Sequence, residues 1–252
     1  MKYDLVYPLG KGTAWQNNEI RYSIRSFVKH FKDLDKIYII GERPDFLDYS
    51  NERLIHIPME DEFNRNKDGN LIKKVLRACT ENNISENFIR ASDDQVILKD
   101  VTIEDFEPKY ITNLVGDNFS FKNANRWKKR LERTKNLLQE GGFTTFHYES
   151  HYPMLYNRAS FEDIFMNLEL TNTEGVTINT FYFNNYLEIH KKLEKGFKVT
   201  LQRQEKYLTE KDLIEKSKGY TFLGYNNKGM RTCDLKAFLI NKFSEVCNFE
   251  IL

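Results

Sequence analysis

Short apolar runs alternate with amphipathic helical segments over the first 100 residues of this 252-residue chain. Helical periodicity of apolar residues predicts helices over 17–32 and 69–82. Runs with the length and composition of strands lie around them, at 3–7, 36–40, 53–57 and 87–91. Strands that are apolar throughout and separated by helices form parallel sheets, because each parallel connection crosses and covers a face of the sheet. The sequence therefore predicts an α/β fold with a mostly parallel central sheet and helices on both faces.

The pattern changes after about residue 120, where helices predominate. A basic segment predicts a helix over 122–142 that ends at two glycines. Further elements are predicted after it, namely helices near 160–169, 175–190 and 209–218 and a strand at 220–225. The sequence contains no internal repeat or low-complexity tract. We therefore predict a core at 1–118 and a helix-rich C-terminal portion at 119–252, packed together as one unit.

The charge balance and the cysteines exclude several classes of protein. Lys and Arg total 38 against 37 Asp and Glu, so the net charge of +1 gives no overall attraction to polyanions. Cys79, Cys233 and Cys247 lie far apart and form no CxxC pair, so they indicate neither a disulfide framework nor a zinc cluster. The sequence has neither a signal-peptide pattern nor an apolar run long enough to span a membrane. We therefore expect a cytoplasmic protein without a transmembrane segment.

Two adjacent carboxylates, Asp93 and Asp94, follow the predicted strand 87–91 and precede a second apolar run. This position is the carboxyl edge of a parallel sheet, where α/β proteins bind their ligands. Adjacent carboxylates repel each other unless a cation neutralises them, so the pair predicts a site for Mg²⁺ or Mn²⁺. A divalent ion there would bridge the oxygens of a diphosphate. The alternative is an ordinary Asp-Asp pair in a surface turn or a helix cap.

The turn after the first strand is a candidate for binding a base or a phosphate. It consists of Tyr7, Pro8, Leu9, Gly10, Lys11, Gly12 and Thr13. Its small residues allow backbone N–H groups to approach a ligand closely. The turn matches neither the Walker phosphate-binding pattern nor the GxGxxG pattern, so a simple turn is the alternative.

Polar residues open the first predicted helix. Asn17 and Asn18 come first, followed by Glu19 and Arg21. Arg21 could offer its guanidinium group to a phosphate, and Glu19 could meet a ribose or sugar hydroxyl. Capping of the helix and a salt bridge on its surface are the alternative roles.

Three titratable residues, His147, Glu149 and His151, alternate within five residues. On a strand they would share one face, and one of them could serve as a metal ligand or as the general base for an acceptor hydroxyl. A polar side chain on a solvent-facing loop is the alternative, above all for His147.

The segment 122–135 is the local cationic patch of this sequence and includes Trp127. A charge run on a helix is usually a solvated face, and Glu132 moderates the charge here. The functional alternative is a groove for an anionic acceptor, such as a teichoic-type polymer, a lipid-linked phosphate, or DNA with hydroxylated bases.

Four segments taken together carry a family resemblance. They are Asp4–Tyr7, Asn17–Ser26, Lys36–Glu42 and Phe88–Asp94. They resemble bacterial and phage glycosyltransferases related to the Stealth-type capsular polysaccharide transferases, in which an N-D-E-L-R-Y-S-L-R-S helix precedes an I-Y-I-V strand and an N-D-D metal motif. The likeness covers about the first 100 residues, and beyond them it is limited to His151-Tyr152-Pro153 and Phe222–Gly229.

This resemblance implies a GT-A-like sheet, a divalent metal, and transfer of a sugar from a nucleotide sugar to a hydroxyl acceptor. A UDP-sugar is the expected donor, and residues 119–252 would form the acceptor side. Ser92 and Asp93 would join the donor-binding residues. The expected metal ligands of this DxD-like motif are Asp93 and Asp94, with Asn226 as a third.

The expected catalytic residues are Asp94, Glu149 and His151, with Glu149 or His151 as the base. Two positions depart from the family pattern: Ser92 replaces an Asn, and Asn227 replaces an Asp near the C-terminal motif. A neutral Asn is a weaker metal ligand or base than an Asp. Two alternatives stay open, a sugar-1-phosphate transferase of capsule synthesis and a non-catalytic binder of polymer or nucleic acid.

Overall fold

The computed structural model describes residues 1–11, 15–81, 84–116, 121–122, 124–173, 175–202 and 204–251. Gly12 and Thr13 of the predicted ligand-binding turn lie outside the described residues. The strands are β1 (Tyr3–Leu9), β2 (Leu34–Gly41), β3 (Leu54–Ile57), β4 (Asn87–Arg90), β5 (Gln95–Ile97), β6 (Lys109–Tyr110), β7 (Met154–Asn157), β8 (Lys191–Lys192), β9 (Lys198–Leu201) and β10 (Phe222–Tyr225). The helices are α1 (Asn18–His30), α2 (Lys67–Glu81), α3 (Arg126–Glu140), α4 (Arg158–Met166), α5 (Ile178–Tyr186), α6 (Glu210–Ser217), α7 (Asn227–Met230) and α8 (Leu235–Lys242), with a short 3₁₀ helix at Ile103–Phe106.

Five strands form the main sheet, in the order β3, β2, β1, β4, β7. β1 runs parallel to both of its neighbours, so that Val6 lies opposite Tyr38 on one side and Arg90 on the other. β7 pairs with β4 in the antiparallel direction at one edge. The prediction of a mostly parallel sheet flanked by helices is confirmed. Because β7 comes from beyond residue 118, strands from both predicted portions share this sheet, and the division there stays a prediction.

The helices after β1 and β3 bury apolar faces in the core of the main sheet. Ile20, Ile24 and Phe27 of α1 are fully buried, as are Ile72 and Val75 of α2. Spacings of three and four residues place each set on one side of its helix. Each such side chain contributes about 1.5–3 kcal/mol through burial, which fixes both helices beside the sheet. No helix in the described parts of the chain is both long and apolar enough to cross a bilayer.

A smaller sheet brings the C-terminal portion to the carboxyl edge of the main sheet. Its order is β5, β10, β9, and β10 is antiparallel to β5 and parallel to β9. The backbone N–H of Tyr225, the last residue of β10, donates to the carbonyl oxygen of Asp94 at 3.0 Å. The two sheets therefore meet at the predicted acid pair.

Two elements differ from their predictions for local reasons. α3 is shorter than the predicted helix over 122–142, because the side chain of Asn125 caps it by accepting the N–H of Lys128 at 2.9 Å. Residues 147–151 do not form a strand, and His151 has a positive φ of 59°. His147, Glu149 and His151 are therefore positioned by an irregular segment that precedes β7.

A buried ion pair anchors the C-terminal segment to α1. Arg25 donates from Nε and Nη2 to the two carboxylate oxygens of Glu250, at 2.6 Å and 2.8 Å. The two side chains are only 8% and 3% exposed. Arg25 also donates to the carbonyl oxygen of Phe243 at 2.7 Å, so most of its donors are satisfied. This pairing joins the two ends of the sequence in the fold.

Candidate active site

The acid pair lies in a tight turn directly after β4. The side chain of Gln95 closes this turn, because its Oε1 accepts the backbone N–H of Ser92 at 3.0 Å. The backbone N–H of Gln95 also donates to the carbonyl oxygen of Ser92 at 3.2 Å. The hydroxyl of Ser23 on α1 donates to the carbonyl oxygen of Gln95 at 2.5 Å. The backbone that carries Asp93 and Asp94 is thus held from both α1 and β10.

The two oxygens of Asp94 have different surroundings. Oδ2 lies 3.4 Å from Nε2 of His151, and the Asp94 side chain is 26% exposed. Oδ1 is buried and has no hydrogen-bond partner among the described residues. Burial raises the pKa of Asp94, but the charge and hydrogen bond of His151, together with the charge of Lys67, outweigh it, so the pKa lies below its ordinary value. Asp94 is therefore a carboxylate with one oxygen that no described residue satisfies.

The pKa of Asp93 is shifted in the opposite direction to that of Asp94. Burial, and next the charge of Asp94, raise the pKa of Asp93 to about 7. Glu19 adds to this repulsion, and its side chain is only 2% exposed. Asp93 therefore experiences negative charge from both Asp94 and Glu19, which is the electrostatic setting that a cation relieves.

Lys67, the first residue of α2, places a positive charge near this acid pair. Its charge opposes the rise in the pKa of Asp93 and contributes to the lowering of the pKa of Asp94. The Lys67 side chain is exposed, whereas Asn66 before it is buried and caps α2 by accepting the N–H of Gly69 at 2.9 Å. The positive end of the α2 dipole and the ammonium group therefore lie on the same side of the site.

His151 connects the acid pair to β10. Its Nε2 lies 3.0 Å from the carbonyl oxygen of Tyr225. A carbonyl oxygen can only accept, so Nε2 carries a hydrogen and only Nδ1 can act as an acceptor. The ring packs against Gly224, where an added Cβ would lie 2.3 Å from Cδ2 of His151. Although burial lowers the pKa of His151, the charge of Asp94 and its hydrogen bonds raise it overall.

Glu149 precedes His151 by two residues and lies in a polar cluster with Thr180, Asp68 and Arg90. Its Oε1 accepts the backbone N–H of Thr180 at 2.9 Å, in the first turn of α5. Burial, and next the charge of Asp68, raise the pKa of Glu149 to about 7, and Arg90 opposes the shift. A carboxyl group that titrates near neutral pH is suited to accept a proton from a hydroxyl.

His147 is poorly suited to proton transfer at neutral pH. Its side chain is 6% exposed, and burial, followed by the charge of Lys198, lowers its pKa to about 4. Its ring lies 5.8 Å from the ring of Trp127 on α3, measured between centroids. The imidazole is therefore neutral at physiological pH and packs beside a partly exposed indole.

The turn after β1 divides into a buried and an accessible part. Tyr7, Pro8 and Leu9 are buried, and the hydroxyl of Tyr7 is hydrogen-bonded to Ser23 at 2.7 Å. Gly10 is partly exposed and Lys11 is exposed. Within the described turn, a ligand can therefore reach the chain at Gly10 and Lys11.

A buried lysine supports this turn from α2. Nζ of Lys74 donates to the carbonyl oxygen of Leu9 at 2.7 Å and to the carboxylate of Asp61 at 2.6 Å. The Lys74 side chain is only 3% exposed. Sequence reasoning missed Lys74, because a lysine on an amphipathic helix is normally solvated.

Structural comparison identifies the architecture that holds these residues. The apo structure of the bifunctional glycosyltransferase WbbM matches 97% of this chain and 50% of its own, with a TM-score of 0.53 and 9% identity. The chain has the GT-A fold. The galactosyltransferase LgtC in complex with donor and acceptor sugar analogues matches 97% of this chain and 98% of its own, with a TM-score of 0.48 and 8% identity. This chain spans half the length of the WbbM chain.

Sequence comparison adds no relative to these structures. No protein-family model matches the chain, and no curated protein matches it. The GT-A fold is therefore established by the backbone, and a fold alone does not determine the reaction.

Three other residues that the sequence suggests as donor or metal ligands contact other parts of the chain. Arg21 lies 3.5 Å from Glu250 and stacks on the ring of Phe46, at 4.1 Å from its centroid. Nδ2 of Asn18 donates to the carbonyl oxygen of Trp15 at 2.7 Å. Oδ1 of Asn226 accepts two backbone N–H groups in the first turn of α7. Their roles toward a donor or a metal stay predictions.

The acid pair suits a divalent cation by its chemistry. Carboxylate oxygens are the ligands that Mg²⁺ and Mn²⁺ prefer, and Oδ1 of Asp94 is a buried carboxylate oxygen without a hydrogen-bond partner among the described residues. Among the residues that the structure describes, no group of three or more His, Cys, Asp or Glu is arranged to hold a metal ion. A cation bound by Asp93 and Asp94 would therefore need further ligands that are not His, Cys, Asp or Glu side chains of the described residues.

Proposed function

We propose that the protein is a glycosyltransferase that moves a sugar from a nucleotide-diphosphate donor to a hydroxyl acceptor. One observation carries the proposal: Asp93 and Asp94 lie at the carboxyl edge of β4 in a GT-A fold, and a buried oxygen of Asp94 has no partner among the described residues. Mn²⁺ or Mg²⁺ bound by these carboxylates would supply the positive charge that a departing diphosphate needs. The relation to the Stealth-type transferases stays a prediction.

We assign donor binding to the surface between the turn after β1 and the N terminus of α2. Gly10 and Lys11 provide accessible backbone, and Ser92 and Glu19 flank the acid pair. Lys67 supplies an exposed ammonium group that can contact phosphate oxygens. A UDP-sugar is the donor that we expect, and its diphosphate would complete the ligands of the cation.

We assign the general base to Glu149 rather than to His151. Glu149 has a pKa of about 7, so it is partly ionised at neutral pH and can accept the proton of the attacking hydroxyl. Nε2 of His151 contacts the carbonyl oxygen of Tyr225 and Oδ2 of Asp94, so the hydrogen on Nε2 is already engaged in these contacts. His151 is then a positioning residue that keeps Asp94 ionised and oriented.

The acceptor side is proposed to lie along α3. Trp127 is 37% exposed and packs beside His147, which precedes Glu149 by two residues. Arg126 and Lys129 are exposed in the first two turns, so an anionic polymer or DNA could approach the 122–135 segment. A hydroxyl bound between Trp127 and Glu149 would be close to its base.

The direct test is incubation of the protein with a panel of nucleotide sugars and Mn²⁺, followed by chromatography of the nucleotides. We expect slow hydrolysis of one donor, and loss of that hydrolysis in Asp94→Asn. The matched control is Asp163→Asn, an exposed carboxylate on α4. Release of a nucleoside diphosphate indicates glycosyl transfer, whereas a monophosphate indicates sugar-phosphate transfer. Undiminished hydrolysis in Asp94→Asn would refute the proposal.

A further inference from the structure

A cavity of about 440 Å³ opens between α6, α8 and the residues after β5. Its apolar wall is formed by Leu98, Ile214, Tyr220 and Phe238. Leu98 and Phe238 are buried, whereas Ile214 is 52% exposed at the opening. The volume falls within the range of pockets that hold small organic ligands. The cavity therefore has an apolar wall that solvent can reach.

Lysines surround this apolar wall. Lys99, Lys218 and Lys242 line the cavity, and none of them forms an ion pair with a described carboxylate. Glu210 is the one carboxylate in the lining, and it accepts a hydrogen bond from the amide of Asn241 at 2.7 Å. The rim therefore carries more positive than negative charge, and its lysines have no ion-pair partner among the residues that the structure describes.

Lys242 is a partly buried lysine at this rim, held over two aromatic rings. Its Nζ lies 5.9 Å and 6.0 Å from the ring centroids of Phe238 and Phe243. Burial, and next the charge of Lys29, lower the pKa of Lys242. An anion at the rim would reduce this repulsion and replace the lost hydration of the ammonium group.

The cavity is separate from the acid pair. β5 joins them: Asp94 precedes its first residue, and Leu98 and Lys99 follow its last. β10 runs antiparallel to β5, so Phe222 lies at the cavity end and Gly224 at the acid-pair end. A strand rises about 3.3 Å per residue, which places the two sites at opposite ends of this ladder. Occupants of the cavity are therefore distinct from the proposed donor.

We propose that this cavity binds an anionic amphiphile, a small molecule with a carboxylate or phosphate group on an apolar body. The apolar body lies against Phe238 and Ile214, and the anionic group lies between Lys218 and Lys242. The charge of the rim selects the anion, and the apolar wall selects against small inorganic ions. This binding is independent of the glycosyltransferase proposal.

The test is isothermal titration of the full chain with monomeric decyl phosphate, below its micelle concentration. We expect one equivalent to bind, and affinity to fall about tenfold for each lysine removed in Lys218→Gln and Lys242→Gln. Ile214→Asp, which puts a carboxylate at the exposed wall, should abolish binding without unfolding the protein. Lys211→Gln, on the same helix but outside the lining, is the matched control and should bind like the wild type.

Three outcomes would overturn the proposal. One is equal affinity of wild type and the Lys218→Gln/Lys242→Gln double variant. Another is equal affinity for decyl phosphate and neutral decanol, because the rim would then play no part. The third is binding only to phosphatidylglycerol vesicles and not to monomeric decyl phosphate, which would indicate a membrane-surface contact instead. Circular dichroism of each variant verifies that the fold is intact.

Discussion

Nε2 of His151 lies 3.4 Å from Oδ2 of Asp94, and this contact joins the irregular segment before β7 to the turn after β4. The imidazole favours the ionised form of Asp94. Replacing it should therefore weaken every function that depends on that carboxylate.

We predict that His151→Gln lowers donor hydrolysis about 10- to 100-fold, as expected for a residue that orients a metal ligand. The loss should be largest at low pH, because the pKa of Asp94 rises when His151 no longer opposes its burial. Rates measured across a pH series provide the test. The control is His30→Gln, which breaks another His–Asp contact at 2.9 Å outside the site. Equal losses in both variants would contradict the prediction.

Gly224→Ala should perturb the same contact from β10. The added Cβ would lie 2.3 Å from Cδ2 and 2.6 Å from the carbonyl oxygen of His151, so the ring or the strand must move. We expect a loss of about 1–3 kcal/mol in the free energy of unfolding, together with reduced activity. Urea denaturation measures the first quantity. Gly10→Ala meets only an ordinary contact at 3.7 Å and should retain wild-type stability.

Glu149 should make stability depend on pH. Its folded pKa of about 7 exceeds the ordinary value of 4.5, so the folded protein holds the proton more tightly than the unfolded chain. The resulting stabilisation is complete below pH 4.5 and is lost as the pH rises through 7. Glu149→Gln stays neutral, so we predict that it is more stable than the wild type at pH 8 by about 1–3 kcal/mol, with little difference at pH 4.

The same variant tests the proposed base. Glu149→Gln cannot accept a proton, so sugar transfer should fall about 100-fold or more while the protein becomes more stable at pH 8. Transfer assays and urea denaturation at pH 4 and pH 8 together measure both effects. Glu215→Gln, an exposed change on α6, is the control. A parallel loss of stability and activity would instead indicate a purely structural role.

Glu250→Ala should be strongly destabilising, because it leaves the buried guanidinium of Arg25 without its carboxylate. We expect a loss of about 3–5 kcal/mol in the free energy of unfolding. The exposed pair Arg158 and Glu86 is the control, and Glu86→Ala should cost less than about 1 kcal/mol. Thermal and urea denaturation of the two variants distinguish these magnitudes. Similar losses would show that the Arg25 pair contributes no more than a surface pair.

The sequence could predict features that depend on local patterns. The apolar runs and helical periodicities indicated the parallel sheet, which the structure confirms. The position of Asp93 and Asp94 directly after a buried strand also follows from the order of residues, because the strand ends where the polar residues begin. The roles of these residues stay predictions.

Features that depend on distant partners were not predictable from spacing. Arg21 has the position of a phosphate ligand in the sequence, but in the fold it lies beside Glu250. Gln95 looks like an ordinary polar residue, although its side chain closes the acid-pair turn. His151 likewise contacts the carbonyl oxygen of Tyr225 through Nε2, and no local pattern reveals this contact.

The turn that carries the acid pair has a consequence for folding kinetics. It is held by Ser23, which is 72 residues from Gln95, and its partner His151 contacts Tyr225 across 74 residues. Contacts between such distant positions form only after loop-closure entropy has been overcome. We therefore expect the acid pair to acquire its final geometry late in folding. A newly made chain should then become able to bind a ligand there only after its last strands have docked.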